Sequence, residues 1–134
     1  MIVVDTNIIA FSVIPGEKTL LAQEALRKDP IWFAPLLWRS ELTNVLTLYM
    51  RKNILSLETA QEAFEHALVL MQSREIPVSY PKILELTAAS KLSAYDCEFL
   101  FVAQEMNLQL LTEDKLLLQQ FPQVAIKLDA FVTS

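Results

Sequence analysis

The feature that most constrains the fold is a short apolar run that stops on acid and hydroxyl residues, used once near each end of the chain. Met1-Ile2-Val3-Val4 runs into Asp5-Thr6-Asn7, and Gln109-Leu110-Leu111 runs into Thr112-Glu113-Asp114. Each reads as a buried strand with a polar C-terminal edge. An acid closing a buried strand carries a desolvation cost unless it has a partner. In open parallel α/β sheets, ligands bind outside the carboxyl ends of the strands, so acids placed there face a site rather than the core.

The segments between these two strands alternate in character. Thr19 to Lys28 has a helical rhythm of Leu20, Leu21, Ala25 and Leu26 that stops at Asp29-Pro30, and Ile31-Trp32-Phe33-Ala34 reads as a second strand. Past Pro35, the spacing of Leu37, Trp38, Leu42, Val45, Leu46 and Tyr49 predicts a helix that closes at Arg51-Lys52-Asn53. Ser56 caps a helix from about Glu58 to Ser73, Ile76-Pro77-Val78 is an extended connector or edge strand, and Pro81 opens a short helix ending near Ser90. Ser93 caps the next helix, Ala94 to about Glu105; a short helix after Asp114 and a strand at Val124-Ala125-Ile126 complete the order. This alternation predicts an α/β fold, a mainly parallel sheet between helix layers. With 134 residues and no repeat, low-complexity stretch or linker, residues 1–134 read as a single domain.

Two further acids sit at comparable places: Glu41 early in its helix and Asp96 in the first turn of another. Strand ends and the N-terminal turns of the helices that follow share one edge of a parallel sheet, so Asp5, Glu41, Asp96 and Asp114 can meet in space. Carboxylates held together repel, and a hard divalent cation such as Mg²⁺ or Mn²⁺, which prefers oxygen ligands, relieves that repulsion and supplies Lewis acidity. Other chemistries lack their residues. His66 is the only histidine, too few for the usual zinc site, and reads as a surface residue. Cys97 is the only cysteine, which excludes an internal disulfide, and it reads as packing. Gly16 is the only glycine, which excludes a phosphate-binding P-loop and a dinucleotide fingerprint. A net charge of −5 argues against broad attraction to polyphosphate, so any nucleic-acid site must be local and metal-assisted. No apolar run approaches membrane-spanning length and the start lacks a secretory leader pattern, so a soluble, cytoplasmic chain with no membrane contact is expected.

Four stretches, Val4-Asp5-Thr6-Asn7, Trp38 to Leu46 around Glu41, Leu92 to Leu100 around Asp96, and Leu111-Thr112-Glu113-Asp114, occur in the order found in PIN-domain nucleases. The chain resembles that family over nearly its whole length, and especially the toxin ribonucleases of bacterial VapBC toxin–antitoxin systems. The resemblance implies a PIN-like three-layer sandwich and a Mg²⁺- or Mn²⁺-dependent endoribonuclease with Asp5, Glu41, Asp96 and Asp114 as its acidic centre. Asp5 and Asp96 would bind the ion directly, Glu41 directly or through water, and Asp114 would hold a second ion or orient the attacking water. Asn7 and Thr112 would support a carboxylate or the scissile phosphate. The likeness further implies an RNA substrate, a cognate antitoxin that fills the cleft, and a homodimer. Leu20, Leu21, Trp38 and Tyr49 are candidates for those protein contacts; Arg39, Lys91 and Lys115 are candidates for phosphate or, equally, ordinary surface cations. Glu113 departs from the family pattern, where a basic or small residue is common; an extra acid there could weaken RNA approach or alter metal occupancy, and the sequence leaves its effect open.

Each acid also has a purely structural reading. Ser93 and Asp96 form a capping pair, Asp114 caps its own short helix, and Glu41 would be a solvated helix residue. Trp32, Phe33 and Trp38 read as core or interface. A haloacid-dehalogenase-like phosphohydrolase needs a second aspartate where Asn7 stands, and a receiver domain needs an acidic pair that is missing at the first strand. The non-enzymatic alternative is a PIN-like module that binds RNA or protein without cutting.

Overall fold

The structure is a computed structural model describing residues 1–134. β1 (Ile2–Val4) leads directly into α1 (Thr6–Val13); α2 (Thr19–Lys28), β2 (Trp32–Pro35), α3 (Trp38–Arg51), α4 (Leu57–Met71), β3 (Glu75–Ile76) and α5 (Tyr80–Ala88) follow. The chain ends with α6 (Ala94–Met106), β4 (Leu110–Leu111), α7 (Lys115–Gln120), β5 (Ala125–Ile126) and α8 (Leu128–Thr133).

The five strands form one sheet in the order β3-β2-β1-β4-β5, with every neighbouring pair parallel. The sheet is thus wholly parallel, and helices flank it. Val3 and Val4 are completely buried, as are Leu110 and Leu111 in the adjoining strand. That double-sided burial explains why these strands are continuous apolar runs without alternation. Successive strands run outward from β1 in one direction and from β4 in the other. The boundary between β1 and β4 is therefore the topological switch point, where this class of sheet opens a crevice at its carboxyl edge. Val4 pairs with Leu111, and the Asp5 N–H donates to the Leu111 carbonyl at 3.1 Å, which sets Asp5 beside Thr112 at that edge.

Helix α6 crosses β1, β2 and β4 with α5 packed on it, while α1 packs with α2, α3 and α4, and α4 reaches β2. The apolar side of α6 (Phe99, Leu100, Val102, Ala103) is buried, and its start is held by the Ser93 hydroxyl, which accepts the Asp96 N–H at 3.1 Å. Ser56 caps α4 in the same manner, accepting from Thr59 N–H. α3 has no side-chain cap of its own. Its first turn is tied instead to edge strand β3: the Glu75 carboxylate accepts from Trp38 Nε1 at 2.8 Å and from Arg39 Nε and Nη2 at 2.6 and 2.7 Å.

The helices from Thr19, Trp38 and Ala94 follow their sequence periodicity. Two helices do not announce themselves in the sequence. α1 begins one residue after Asp5 and buries Ile8, Ile9 and Ala10 together, so it has no amphipathic rhythm to detect. α8 is six residues long, below the length at which periodicity is readable, and is fastened to α2 by Lys28, whose Nζ donates to the carbonyl of Phe131 at 2.6 Å. With a single glycine, the chain takes its left-handed turns with Asn53, Ser73 and Asn107, at φ of 59°, 68° and 55°. Asparagine tolerates that region through local hydrogen bonding, and Asn107 closes α6 there.

Candidate active site

Asp5, Glu41, Asp96 and Asp114 line one cleft of about 560 Å³ at the carboxyl edge of the sheet, together with Thr6, Asn7, Ser40, Asn44 and Tyr95. Four different elements deliver the four acids. Asp5 is the N-cap of α1 and Asp114 the N-cap of α7, accepting from Ile8 N–H at 3.2 Å and Leu117 N–H at 2.8 Å. Glu41 and Asp96 occupy the first turns of α3 and α6. The capping role and the cleft role coexist in both: Asp114 caps with one oxygen and keeps the other, while Asp5 accepts on both, from Ile8 N–H and Thr112, and each oxygen retains a further lone pair.

Hydroxyl groups orient this set. Thr112, fully buried, donates to Asp5 Oδ2, and its own oxygen accepts the Asp114 N–H at 3.0 Å. One threonine thus links the acid after β1 to the acid before α7. Thr6 Oγ1 donates to Glu41 Oε1 at 2.6 Å and fixes the α3 carboxylate against the start of α1. The role of Thr6 escaped the sequence reading, although it stands next to Asp5; nothing in its spacing points to a partner 35 residues away. Asn7 lines the cleft and is exposed.

The electrostatics register the crowding. Burial pushes Asp5 from 3.8 up to about 7, with the carboxylates of Asp96 and Glu41 adding to the rise against the hydrogen bonds from Thr112 and Ile8. Glu41 is raised by burial and by Asp96, and Asp96 by burial and by Asp114. Glu98, one turn-face away on α6, is raised by burial and then by Glu41, so it belongs to the same negative field although it does not line the cleft. The donors facing the cleft are carboxylate, hydroxyl and amide oxygens without sulfur or imidazole, a set that suits a hard divalent ion. No three acidic, histidine or cysteine side chains are gathered at ready ligand spacing, so the acids face one cleft without forming a closed cage.

The structure decides three readings that the sequence leaves open. Glu113 is not among the cleft residues: its carboxylate takes a 2.6 Å ion pair from Lys18 and accepts the Leu128 N–H at 3.1 Å, which ties it to the loop before α2 and to the start of α8. Arg39 is committed to Glu75 through two hydrogen bonds rather than offered to phosphate. Trp38 is wholly buried, stacked on Phe64 with ring centroids 5.7 Å apart, and contributes to the core instead of to a docking face. Lys91 and Lys115 are exposed, as is Leu20, while Leu21 and Tyr49 are half-buried. Cys97 and Trp32 are buried, Phe33 is half-buried, and His66 is exposed. No helix is long and apolar enough to cross a membrane.

A parallel five-stranded sheet with acids at its switch point defines the architecture, and the sequence comparison agrees: the PIN domain family matches residues 2–125. The chain belongs to the PIN domain family. Among solved structures, it is similar to PAE2754 from Pyrobaculum aerophilum, with a TM-score of 0.79, 19% identity, and coverage of 98% of this chain and 92% of that one. It is similar to a toxin-antitoxin complex from Klebsiella pneumoniae at a TM-score of 0.68 and 21% identity, covering 96% of this chain and 98% of that one. A third likeness is to FitAcB from Neisseria gonorrhoeae, with a TM-score of 0.64, 20% identity, and 87% and 89% of the two chains covered. No curated protein matches the sequence.

Proposed function

We propose that this chain is a divalent-metal-dependent endoribonuclease, the toxin of a toxin–antitoxin pair, acting as one unit over its 134 residues. The observation that carries the reading is the convergence of Asp5, Glu41, Asp96 and Asp114 on one cleft from four separate elements. Membership in the PIN family supports a nuclease, and the toxin-antitoxin complex among its structural relatives supports the pairing with an antitoxin. An acidic cleft is a natural dock for arginine or lysine side chains of such a partner. A homodimer, with RNA as the substrate, completes the proposal.

Asp5 and Asp96 would hold a Mg²⁺ or Mn²⁺ ion, with Glu41 and Asp114 beside them. When bound, the ion lowers the pKa of water and neutralises charge on the phosphoryl oxygens of the bond being cut. The chain's own residues prepare that chemistry. Thr112 and Thr6 keep the Asp5 and Glu41 carboxylates aimed at the cleft, so no reorientation is needed when substrate arrives. Asp114, whose Oδ1 caps α7 by accepting the Leu117 N–H, has its second oxygen left to accept a hydrogen bond from the attacking water and orient it. Asn7 offers an amide donor to a phosphate oxygen at the cleft mouth.

The test is cleavage of a panel of structured RNAs, transfer and ribosomal fragments included, with Mn²⁺, Mg²⁺ or EDTA, beside Asp96→Asn. Metal-dependent cutting that vanishes in the variant is expected. A folded wild type that cuts no RNA and binds no metal by calorimetry would instead favour a non-catalytic binding module.

A further inference from the structure

A second cleft, of about 280 Å³, opens beside the acidic one between α1, the loop before α2, and α3. The two share Asn7 and Val45, so they adjoin along those residues. The walls differ in chemistry. The first is lined by carboxylates; the second carries two half-buried aromatic rings, Phe11 and Tyr49, the ammonium of Lys18 and, at its exposed rim, the single carboxylate of Glu17. Lys18 Nζ lies 5.5 Å from the centre of the Phe11 ring and gives one hydrogen bond, to Glu113. An ammonium has three N–H donors, so two remain for a ligand. Glu113 adjoins Asp114 in sequence, so the ion pair also anchors this cation beside the acidic centre despite the net charge of −5.

An aromatic pair beside a cation is the combination that holds a single-stranded nucleotide: the base stacks on a ring and a backbone phosphate takes the cation. We propose that this side cleft binds the nucleotide next to the scissile bond, its base against Tyr49 and its phosphate on Lys18, which Phe11 and Glu113 hold in place. The inference rests on the nuclease reading and deepens it. A base seated between α1 and α3 must be unpaired, so a duplex cannot make this contact. The Lys18–Glu113 pair is then a positioning element for phosphate, and an acid at position 113 serves RNA binding by holding Lys18 in place.

The test uses short single-stranded RNA carrying 2-aminopurine, titrated with Mg²⁺ present into the full chain in the Asp96→Asn background, with and without Tyr49→Ala and Tyr49→Phe. In parallel, KM and kcat for the unlabelled oligonucleotide are measured on proteins with Asp96 intact. Tyr49→Ala is expected to weaken binding and raise KM at least about fivefold, the lower range for losing one base–aromatic stack, with kcat within about twofold. Tyr49→Phe restores both. Duplex RNA of the same sequence binds no differently to the wild type and Tyr49→Ala. Unchanged fluorescence and KM in Tyr49→Ala, with wild-type cleavage intact, overturns the side cleft and leaves the nuclease standing. Quenching that depends on Tyr49, in a chain whose wild type cuts no RNA, overturns the nuclease and the scissile-bond placement with it, and leaves the side cleft as a nucleotide-binding site only.

Discussion

Thr112 donates its hydroxyl to the carboxylate of Asp5 across 107 positions of sequence, and the same oxygen accepts the N–H of Asp114. The two acids at the switch point therefore share one buried support. Thr112→Val keeps the volume and removes both bonds, leaving the Asp5 carboxylate more poorly solvated. The expected outcome is a loss of about 1–3 kcal/mol in chemical denaturation, the range for a buried bond to a charged group, with weakened metal binding by calorimetry. Thr112→Ser should recover both. A Thr112→Val protein as stable as the wild type and equal in metal affinity would remove the threonine from the site.

The proton affinities of the acids set a pH dependence opposite to ordinary acid denaturation. Asp5, Glu41 and Asp96 all have folded pKa values above their ordinary ones, so the folded chain binds protons more tightly than the unfolded chain. Their stabilising contribution is complete below the unfolded carboxylate range and is lost as pH rises through the folded values, near 7 for Asp5. For Asp5 alone this is at most about 4 kcal/mol. In EDTA, the melting temperature should rise as pH falls from 8 to 5.5. Mg²⁺ should raise it more at pH 8 than at pH 5.5, because proton and ion compete for the same oxygens. Glu75, held low by its bond to Arg39, acts in the other direction and loses its contribution only below the ordinary carboxylate range. Equal metal-induced shifts at both pH values would contradict the assignment.

Asp96→Asn removes one charge at nearly constant volume and leaves the Ser93 cap on its backbone N–H intact. Since Asp96 raises the pKa of both Asp5 and Glu41, the metal-free variant is expected to melt no lower than the wild type. Cleavage should fall by about 10²-fold or more, as for removal of one electrostatic element of a catalytic site. Loss of folding would return Asp96 to a purely structural role.

Glu113→Ala tests an acid that the cleft does not contain. It removes the acceptor for the Leu128 N–H and the partner of Lys18. The backbone bond is worth about 1–2 kcal/mol, and the half-exposed ion pair adds less than about 1 kcal/mol. Denaturant unfolding should register that loss, and amide exchange should rise first in α8. An increase in RNA affinity, the outcome expected of an acid that repels substrate, would place Glu113 in the cleft after all.

Much of this architecture was legible from local signals. Ser56 and Ser93 announce helix starts because a hydroxyl before an apolar-periodic segment satisfies orphan N–H groups, and both do so in the structure. The β1 and β4 runs announce strands buried on both faces. α1 is silent because its buried residues lie together, and periodicity leaves Trp38 open between core and docking face because it identifies an apolar face without saying what covers it; the structure puts Trp38 in the core. Arg39 and Glu113 stay open in the sequence for a related reason: a charge near an acid in sequence can have its partner elsewhere in space.

Residue type and order fixed the chemical vocabulary of the molecule, oxygen donors in abundance with one histidine, one cysteine and one glycine, and fixed the places where strands hand over to acids. Those are properties of short segments, set by propensity, capping and burial pattern. The meeting of four carboxylates in one cleft, the proton affinity of Asp5 near 7, the Thr112 and Thr6 supports, and the capture of Glu113 by Lys18 arise only on folding. Each depends on burial and through-space distance, which the order of strands in the sheet decides and no local stretch of sequence contains.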